Sequence, residues 1–553
     1  MILVSTIFLP LLGAAALGIA SVATAKAPDQ RLRNEGLKIG ALIVSLVTFG
    51  LSLYFVFNGG ETVQRDWLPS VGSSFHLRID GISLWLVVLT TFLTPICILA
   101  SWRNISIPDS GQRDAYPSDE YPQHERGAGG FLALLLTLET AMLGTFAAFD
   151  LVLFFIFWEM TLIPMYFIIG IWGSPGWRQT FLFGQVSERV YATLKFVLYT
   201  MAGSALMFAG ILYIRMQTGT FDLTAIMEYA ANTGFGAKAQ VWLFWAFFAA
   251  FAIKVPLFPV HTWLPDAHTQ APTAGSMLLA GVLLKMGAYG ILRFCLPLFP
   301  EAAAANADIV SLIAVIGILY GALVAMVQPD MKRLVAYSSV SHLGFVVLGL
   351  FAGSEMGTKG AVLQMVNHGI ATGALFMLVG MLYDRRHTRQ IKEFGGIAKK
   401  MPAYAAVFLI ITFASIGLPG TNGFVGEFLI LAGSFMTEGR EAYAIAAALG
   451  VILAAVYMLW MVQRVFFGPI KVKANESLKD LNAREMIAAL PLIVAVFWIG
   501  LSPTPFLDKM DADGSISALT KPGIAKMAMV EPPPPMEQPA PPISTPSEMD
   551  EDH

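Results

Sequence analysis

Four charged side chains lie in the middle of long apolar stretches of this 553-residue chain. Glu159 occurs in FFIFWEMTLIPMYF, Lys254 in AFAIKVPLFP, Lys285 in LLAGVLLKMGAYG and Glu427 in GTNGFVGEFLIL. A charge at the centre of a bilayer costs about 2.5–3.5 kcal/mol, normally faces the protein interior and marks an ion path. A buried lysine beside a carboxylate can load and release a proton, because burial and the carboxylate act on its pKa in opposite directions. We therefore expect Glu159 and Lys254 to form a proton-loading site, with a structural ion pair between two helices as the alternative.

Two histidines in neighbouring apolar stretches extend this set. His342 occurs in SSVSHLGF and His368 in MVNHGIATG. Histidine titrates near neutral pH and suits a proton relay, whereas a neutral histidine bonded to a backbone carbonyl would be ordinary packing. Two accessory candidates are Glu139, which could instead be a protonated and hydrogen-bonded side chain, and His261. The predicted relay runs through Lys254, Lys285, His342 or His368, and Glu427.

The composition indicates where these residues reside. The chain is 56% hydrophobic and 13% charged, with a mean hydropathy of +0.65, whereas soluble domains have about 25% charged residues. A net charge of −3 without a basic tract excludes a nucleic-acid partner. The two cysteines lie in apolar stretches and cannot build a metal site. Since the sequence has no P-loop, dinucleotide fingerprint or cysteine cluster, we expect no metal, ATP site or redox centre in this chain.

The fold predicted from this composition is an all-α polytopic membrane protein with about 14 transmembrane helices, at roughly 20 apolar residues for each crossing. Residues 62–80 alternate weakly and predict either a short β-hairpin outside the membrane or an irregular loop. The predicted spans are 2–24, 37–57, 81–101, 130–148, 150–172, 194–215, 240–262, 272–296, 307–327, 336–353, 360–383, 403–434, 441–466 and 484–504.

Two of these spans contain helix breaks beside the charged residues. Pro256 and Pro259 follow Lys254, and Pro419 and Gly420 precede Glu427. Proline lacks an N–H, so the carbonyl of the residue four positions before Pro256, Ala252, should lose its partner and the break should admit water. Similar broken helices in two halves of a chain are typical of inverted repeats.

These features predict the following organisation. Lys and Arg are concentrated in the loops after odd-numbered spans, which predicts that those loops are cytoplasmic and that both termini lie on the other side of a prokaryotic plasma membrane. The Pro-rich acidic segment 531–553 should be either disordered or an extended strap on a neighbour. The units are 1–129 with helices 1–3, 130–296 with a first five-helix repeat, 307–466 with a second, 484–504 with the last helix, and the tail 505–553.

The quoted motifs, together with VQPDMKRLVAYSSVSHLGF, resemble the antiporter-like subunits of proton-pumping NADH–quinone oxidoreductase, respiratory complex I, over about residues 80–505. Within these subunits the likeness is to the chain M family, because an acidic residue at position 427 is similar to chain M, whereas chains L and N usually have lysine there. The resemblance implies fourteen spans with two inverted five-helix repeats and broken helices 7 and 12. It also implies that Glu159 modulates Lys254 and that Lys285 is the central lysine.

The function implied by the resemblance is proton translocation as a subunit of an enzyme, coupled to electron transfer from NADH to quinone. FMN, iron–sulfur clusters and quinone would belong to partner subunits, with none bound here. The partners would be other membrane subunits, especially neighbouring antiporter-like subunits, and lipids. Alternatives are an Mrp-type cation/proton antiporter subunit and a membrane subunit of a hydrogenase or ferredoxin-linked relative. The insertion 104–130 and the tail 531–553 depart from the family pattern.

Overall fold

The structure, a computed structural model, describes residues 1–26, 29–103, 127–180 and 184–520. Within these residues, twelve helices are long and apolar enough to cross a membrane, and two shorter apolar helices, Pro402–Ser415 and Asn422–Phe435, accompany them. The predicted all-α polytopic fold is therefore confirmed. Residues 104–126 of the insertion and the segment 531–553 lie outside the described residues.

The first half of the chain has thirteen helices named here. They are α1 (Ile2–Ala23), α2 (Gln30–Asn58), α3 (Gly81–Ala100), α4 (Ala128–Ala147), α5 (Leu151–Met160), α6 (Leu162–Trp172), α7 (Glu188–Thr218), α8 (Leu223–Asn232), α9 (Ala237–Lys254), α10 (Trp263–Gln270), α11 (Thr273–Leu278), α12 (Leu284–Gly290) and α13 (Leu296–Leu298). Two π-helical stretches, Leu279–Leu283 and Ile291–Cys295, flank α12 and make one continuous span from Thr273 to Leu298.

The second half of the chain continues this pattern. Its helices are α14 (Pro300–Ala305), α15 (Ala307–Met326), α16 (Met331–Leu350), α17 (Glu355–Arg386), α18 (Pro402–Ser415), α19 (Asn422–Phe435), α20 (Glu441–Phe466), α21 (Ala483–Leu501), α22 (Thr504–Met510) and α23 (Ser515–Thr520). Short 3₁₀ turns occur at Ile391–Glu393, Ile397–Lys399 and Lys473–Asn475.

Acidic residues at the beginnings of several spans have a local structural role. Asp150 Oδ1 accepts hydrogen bonds from the backbone N–H groups of Val152 (2.9 Å) and Leu153 (3.1 Å). Asp330 caps α16 in the same way. Such caps satisfy the free N–H groups of a first helical turn. The carboxylates at span ends therefore have a structural role, which distinguishes them from the charged residues in mid-span.

The spans differ strongly in how much of their surface lies inside the protein. The most apolar windows of Thr273–Leu298 and of α17 are 100% buried, whereas those of α2 and α21 are 28% and 33% buried. The core of the bundle is therefore built around the two spans that carry Lys285 and His368. A polar group within either window is therefore enclosed by protein.

The seventh and twelfth spans are interrupted where the prolines and glycine predict. Helix α9 ends at Lys254 and α10 begins at Trp263, and α18 ends at Ser415 before α19 begins at Asn422. Gly420 in the second gap has φ +90°, a left-handed conformation that glycine adopts readily.

The expectation that the carbonyl of Ala252 loses its partner is wrong. The N–H of Leu257 donates to this carbonyl over 2.7 Å, because the chain turns at Pro256 and brings a later amide back over the helix end. The indole Nε1 of Trp263 donates to the next carbonyl, that of Ile253, over 2.8 Å. The broken end is thus satisfied by protein groups, as non-helical backbone at membrane depth requires.

Two antiparallel hairpins lie outside the spans. The first pairs β1 (Thr62–Leu68) with β2 (Ser73–Arg78), which confirms the hairpin interpretation of this stretch over the irregular loop. The second pairs β3 (Trp177–Thr180) with β4 (Gly184–Ser187) and was not predicted. Its strands are only four residues long, too short for an alternation of apolar and polar residues that would predict them.

Contacts between loops group them into two faces. On one face Arg78 of β2 lies 3.8 Å from Asp513, beyond the last span. On the other face Arg178 of β3 lies 3.5 Å from Asp266, and Arg389, after the eleventh span, contacts Ser174 over 3.4 Å. These contacts place the loop after the second span beside the segment after the last span, and they bring the loops after the fifth, seventh and eleventh spans together.

Candidate functional site

Two glycines bring the most buried spans close enough for their polar side chains to meet. A Cβ atom at Gly369 would lie only 2.7 Å from the carbonyl oxygen of Gly281, so only a residue without a side chain fits at this crossing. His368 precedes Gly369, and Lys285 follows Gly281 by about one turn. Lys285 Nζ consequently lies 2.6 Å from His368 Nδ1.

The environment of Lys285 is dry and irregular in its backbone. The side chain is fully buried, and its ammonium group also donates to the carbonyl of Ala280. Ala280 belongs to the π-helical stretch Leu279–Leu283. A π-helical turn widens the helix and is frequent at functional sites. Here it presents a carbonyl to a cationic side chain on the same span.

A second contact links the tenth and twelfth spans. His342 Nδ1 on α16 lies 3.0 Å from Glu427 Oε1 on α19, and both side chains are buried. Gln364 Nε2 on α17 donates to the same carboxylate oxygen over 3.2 Å. Gly426 permits this contact, because a Cβ atom there would lie 2.3 Å from Gln364 Oε1.

The two contacts join into one row of buried titratable groups. The rings of His342 and His368 have centroids 5.8 Å apart. Their Nε2 atoms are both buried without a hydrogen-bond partner within the described part of the chain. The central row, as we name it, consists of Lys285, His368, His342 and Glu427. It crosses the protein from α12 through α17 and α16 to α19.

Lys254 occupies a different kind of site. Its ammonium group donates to Thr161 Oγ1 over 3.2 Å and lies over the rings of Trp158 (5.0 Å) and Phe196 (5.9 Å). The side chain is 1% exposed. Aromatic faces attract a cation without neutralising it, so this pocket holds an ammonium group and supplies no counter-ion by direct contact.

Glu159 lies near Lys254 but does not touch it. In the part of the chain that the structure describes, no ion pair within 4 Å joins them, and Glu159 Oε1 is buried without a hydrogen-bond partner. Glu159 nevertheless acts electrostatically on Lys254. The direct partner, Thr161, was missed in the sequence. Its signal is a polar residue between Glu159 and Pro164, where the span changes from α5 to α6.

The pocket of Lys254 and the span of Lys285 are in contact through backbone. A Cβ atom at Gly287 would lie 2.7 Å from the carbonyl oxygen of Phe251 and 2.9 Å from the N atom of Val255. Helix α12 therefore packs directly on the last turn of α9. This contact joins the helix end that carries Lys254 to the helix that carries Lys285 of the central row.

The accessory candidates are buried away from the central row. The ring of His261 stacks on Phe258 with centroids 5.9 Å apart and meets Tyr320 edge-on at 5.1 Å, and its Nδ1 is unpartnered among the described residues. Glu139 on α4 is fully buried, and neither carboxylate oxygen has hydrogen-bonding geometry to a described group. The structure assigns neither residue to the row.

His268 on α10 is a candidate that sequence reasoning missed. It is fully buried, its ring stacks on Phe376 with centroids 4.5 Å apart, and neither ring nitrogen has a partner among the described residues. Lys285 and Lys332 both act on it electrostatically. In the sequence, only its position beside the helix break, in TWLPDAH, indicates that His268 could be functional.

The site is made of groups that bind and release protons. Among residues 1–26, 29–103, 127–180 and 184–520, no group of three or more His, Cys, Asp or Glu side chains could hold a metal ion. Cys97 and Cys295 are both buried and free. What the site does contain is a series of amines, imidazoles and carboxylates, which can pass protons at hydrogen-bonding distance.

Comparisons with known proteins place this chain in a family. A family model described as "NADH:quinone oxidoreductase/Mrp antiporter, TM" matches residues 148–454. NADH-quinone oxidoreductase subunit M of Rhodobacter capsulatus is 42% identical over 515 residues, which cover 91% of this chain and 93% of the relative. NADH-ubiquinone oxidoreductase chain 4 of Marchantia polymorpha is 41% identical, over 94% of this chain and 96% of the relative.

Solved structures agree with these matches. A chain of respiratory complex I from Thermus thermophilus with bound NADH is 31% identical, with a TM-score of 0.79 over 96% of this chain and 100% of that chain. A chain of the Mrp complex from Dietzia sp. DQ12-45-1b has a TM-score of 0.74 over 95% of this chain and 99% of that chain, and at 20% identity it shares the fold. The resemblance seen in the sequence is confirmed: the chain belongs to the NADH-quinone oxidoreductase subunit M family.

Proposed function

We propose that this chain is the proton-translocating membrane subunit of an NADH–quinone oxidoreductase. Electron transfer from NADH to quinone takes place in partner subunits and drives protons through the Lys254 pocket and the central row. Membership of the subunit M family supports the enzyme complex. The single observation that carries the proton-transfer role is the central row itself, four buried titratable side chains in a span-to-span series.

The geometry of the central row supports this role at each step. Lys285 Nζ and His368 Nδ1, 2.6 Å apart, and His342 Nδ1 and Glu427 Oε1, 3.0 Å apart, are at distances suited to direct proton transfer. Between the histidines, the two unpartnered Nε2 atoms are groups that a buried water satisfies well. A water bound to both would complete the row.

The Lys254 pocket supplies a control element in this proposal. Moving one proton against about 180 mV requires about 4 kcal/mol. A pKa swing of about three units provides this free energy, and buried groups reach shifts of that size. Because Thr161 holds the ammonium group while Glu159 acts on it from a distance, movement of the Glu159 carboxylate would change the proton affinity of Lys254 without breaking its anchor.

Family membership also supports the partners and the location that we propose. FMN, the iron–sulfur clusters and quinone belong to partner subunits, and this chain contacts neighbouring antiporter-like subunits in a prokaryotic plasma membrane. The grouping of alternate loops on two faces, with most Lys and Arg on the odd-loop face, supports cytoplasmic odd loops and termini on the opposite side. The Mrp-type alternative is disfavoured by Glu427 and by the 42% identity to subunit M.

The test uses Lys285→Met in the complex, purified in mild detergent and reconstituted into liposomes. We expect the variant complex to contain the peripheral NADH-oxidising subunits and to lose NADH-driven proton uptake, measured with a pH-sensitive dye. Lys238→Met is the matched control, because Lys238 is an exposed lysine and should leave proton uptake unchanged. Full proton uptake by the assembled Lys285→Met complex, or co-purification with antiporter subunits alone, would reject the proposal.

A further inference from the structure

An open apolar groove runs along the outer surface of the bundle between α18 and α20. It has a volume of about 750 Å³. Several lining side chains are strongly exposed, including Val456 (46%), Trp460 (44%) and Phe467 (49%). The lining residues are Leu409, Phe413, Val456, Leu459, Trp460, Val462, Gln463 and Phe467.

Two segments rich in basic residues meet at the Phe467 end of this groove. The N–H of Gly396 donates to the carbonyl of Phe467 over 3.1 Å, which brings the loops 391–401 and 464–476 together. These loops contain six Lys and Arg but only two Glu. None of the six makes an ion pair within the described residues. The basic rim consists of Lys392, Lys399, Lys400, Arg464, Lys471 and Lys473.

Arg464 is the member of the basic rim whose hydrogen bonds are incomplete. Its guanidinium lies 3.9 Å from the ring centroid of Trp460, and its Nε donates to the Trp460 carbonyl over 3.3 Å. One Nη atom is buried without a partner among the described residues. A phosphate oxygen is the acceptor that a guanidinium group pairs with best. An apolar helix in the groove would supply no counter-charge to Arg464, which makes no ion pair within the described residues, whereas a phosphate would supply one.

The length of the groove matches one leaflet of a bilayer. Val456 and Phe467 are eleven residues apart on one helix, or about 16 Å at 1.5 Å per residue. Half of a hydrocarbon core of about 30 Å is 15 Å. An acyl chain beginning at the basic rim would therefore reach the bilayer centre within the groove.

We propose that the groove between α18 and α20 binds an anionic phospholipid, with an acyl chain along the groove and the phosphate on Arg464 within the basic rim. Basic pockets between transmembrane helices on the cytoplasmic side suit anionic head groups. The exposed lysines of the basic rim extend the positive potential toward the head-group layer. This site is independent of the proton-transfer row, because it lies on the outer surface and shares none of the row's side chains.

The test uses the intact complex in nanodiscs of phosphatidylcholine that contain a trace of phosphatidylglycerol with a photoreactive diazirine on an acyl chain. After irradiation, peptide mass spectrometry should find label in segments 409–413 and 456–467. Arg464→Gln should lower this label about fivefold, whereas Arg464→Lys should retain most of it. Lys399→Gln with Lys400→Gln changes only exposed side chains and should lower the label in the same direction.

The chain offers a matched control in a second groove, between α7 and α9. It has a similar volume of about 830 Å³ and, among the described residues, Lys238 as the one basic residue in its lining. Lys238→Gln should leave the label at 456–467 unchanged. Equal labelling by a phosphatidylcholine probe, unchanged labelling of Arg464→Gln, or cross-links from this groove to a neighbouring subunit in place of lipid would each overturn the proposal.

Discussion

The two lysines buried in this bundle sit in unlike surroundings. Lys254 is held by one hydroxyl group and two aromatic faces, with its carboxylate neighbour, Glu159, out of direct contact. Lys285 bonds directly to His368 and through it meets His342 and Glu427. One lysine is therefore suited to respond to a distant charge, and the other to hand its proton along a row.

In the proposed function, this difference divides control from conduction. A direct ion pair would fix the charge state of Lys254, because breaking a buried pair costs several kcal/mol. Because Lys254 is held by Thr161 and makes no direct ion pair with Glu159, its interaction with Glu159 stays adjustable. In the central row, short contacts favour proton transfer, and an adjustable proton affinity matters less. The comparison predicts that substitutions at the first site will change coupling in graded steps.

The largest expected effect is that of Lys254→Met. It removes the ammonium group while nearly preserving the volume of the side chain, and loss of a proton-transferring group typically costs about a hundredfold in rate. NADH-driven proton uptake by reconstituted complex measures it. Assembly, judged by the subunits retained in detergent, should be unchanged. Wild-type proton uptake by an assembled variant would show that Lys254 is a structural cation.

A smaller but strong effect is expected from Glu159→Gln. It removes a charge that acts on Lys254 without direct contact, so the ammonium pocket should stay intact while coupled turnover falls by about tenfold, or about one pKa unit in the proton affinity of Lys254. Turnover is measured as NADH oxidation coupled to proton uptake. Glu188→Gln is the control, because Glu188 begins α7 outside the pocket. An unaltered rate of coupled turnover would show that the Glu159 carboxylate has only a packing role.

Thr161→Val should have an intermediate effect of a few-fold. The valine keeps the shape of threonine and removes the hydroxyl group that accepts the hydrogen bond of Lys254 in the described part of the chain. We expect a shifted pH optimum of coupled turnover, since the ammonium form loses its anchor. Thr161→Ser keeps the hydroxyl group and should retain the wild-type optimum. Identical optima in the two variants would remove Thr161 from the control element.

The smallest effect on proton uptake is expected from Asp222→Asn, outside both sites. Asp222 Oδ2 lies 2.6 Å from His76 Nδ1. Burial raises the pKa of Asp222, but the hydrogen bonds from His76 and other groups lower it by more. The net pKa therefore lies below its ordinary value. Asparagine can still cap α8. We therefore expect unchanged proton uptake and a lower melting temperature of the complex at neutral pH.

The pH dependence of that difference has a defined sign. Because the folded-state pKa of Asp222 is depressed, its stabilisation is present above the unfolded value near pH 4 and is lost as the pH falls through the lower folded value. The difference in melting temperature should therefore stay constant from pH 7.5 to pH 5 and narrow only below about pH 4. A difference that already narrows between pH 7.5 and pH 6 would show that the Asp222 carboxylate does not carry the effect.

Much of this protein was predictable from composition and spacing. Each transmembrane span was expected near the residues where the structure has it, since about 20 apolar residues satisfy their backbone only as a helix in lipid. The helix breaks beside Lys254 and Glu427 were also expected, because proline and glycine act locally. The rare charges in mid-span could be identified one by one, since each is costly where it stands.

The partners of these residues were decided by tertiary structure alone. Periodicity shows that a side chain lies on a helix, but not which distant helix approaches it. The contact of Lys285 with His368 depends on the crossing at Gly281 and Gly369, 88 positions apart in the sequence. The direct partner of Lys254 is Thr161 because of how α5, α6 and α9 pack, and the carbonyl of Ile253 is satisfied by Trp263 because the chain folds back. Such contacts are set by the packing of whole helices, which no local pattern encodes.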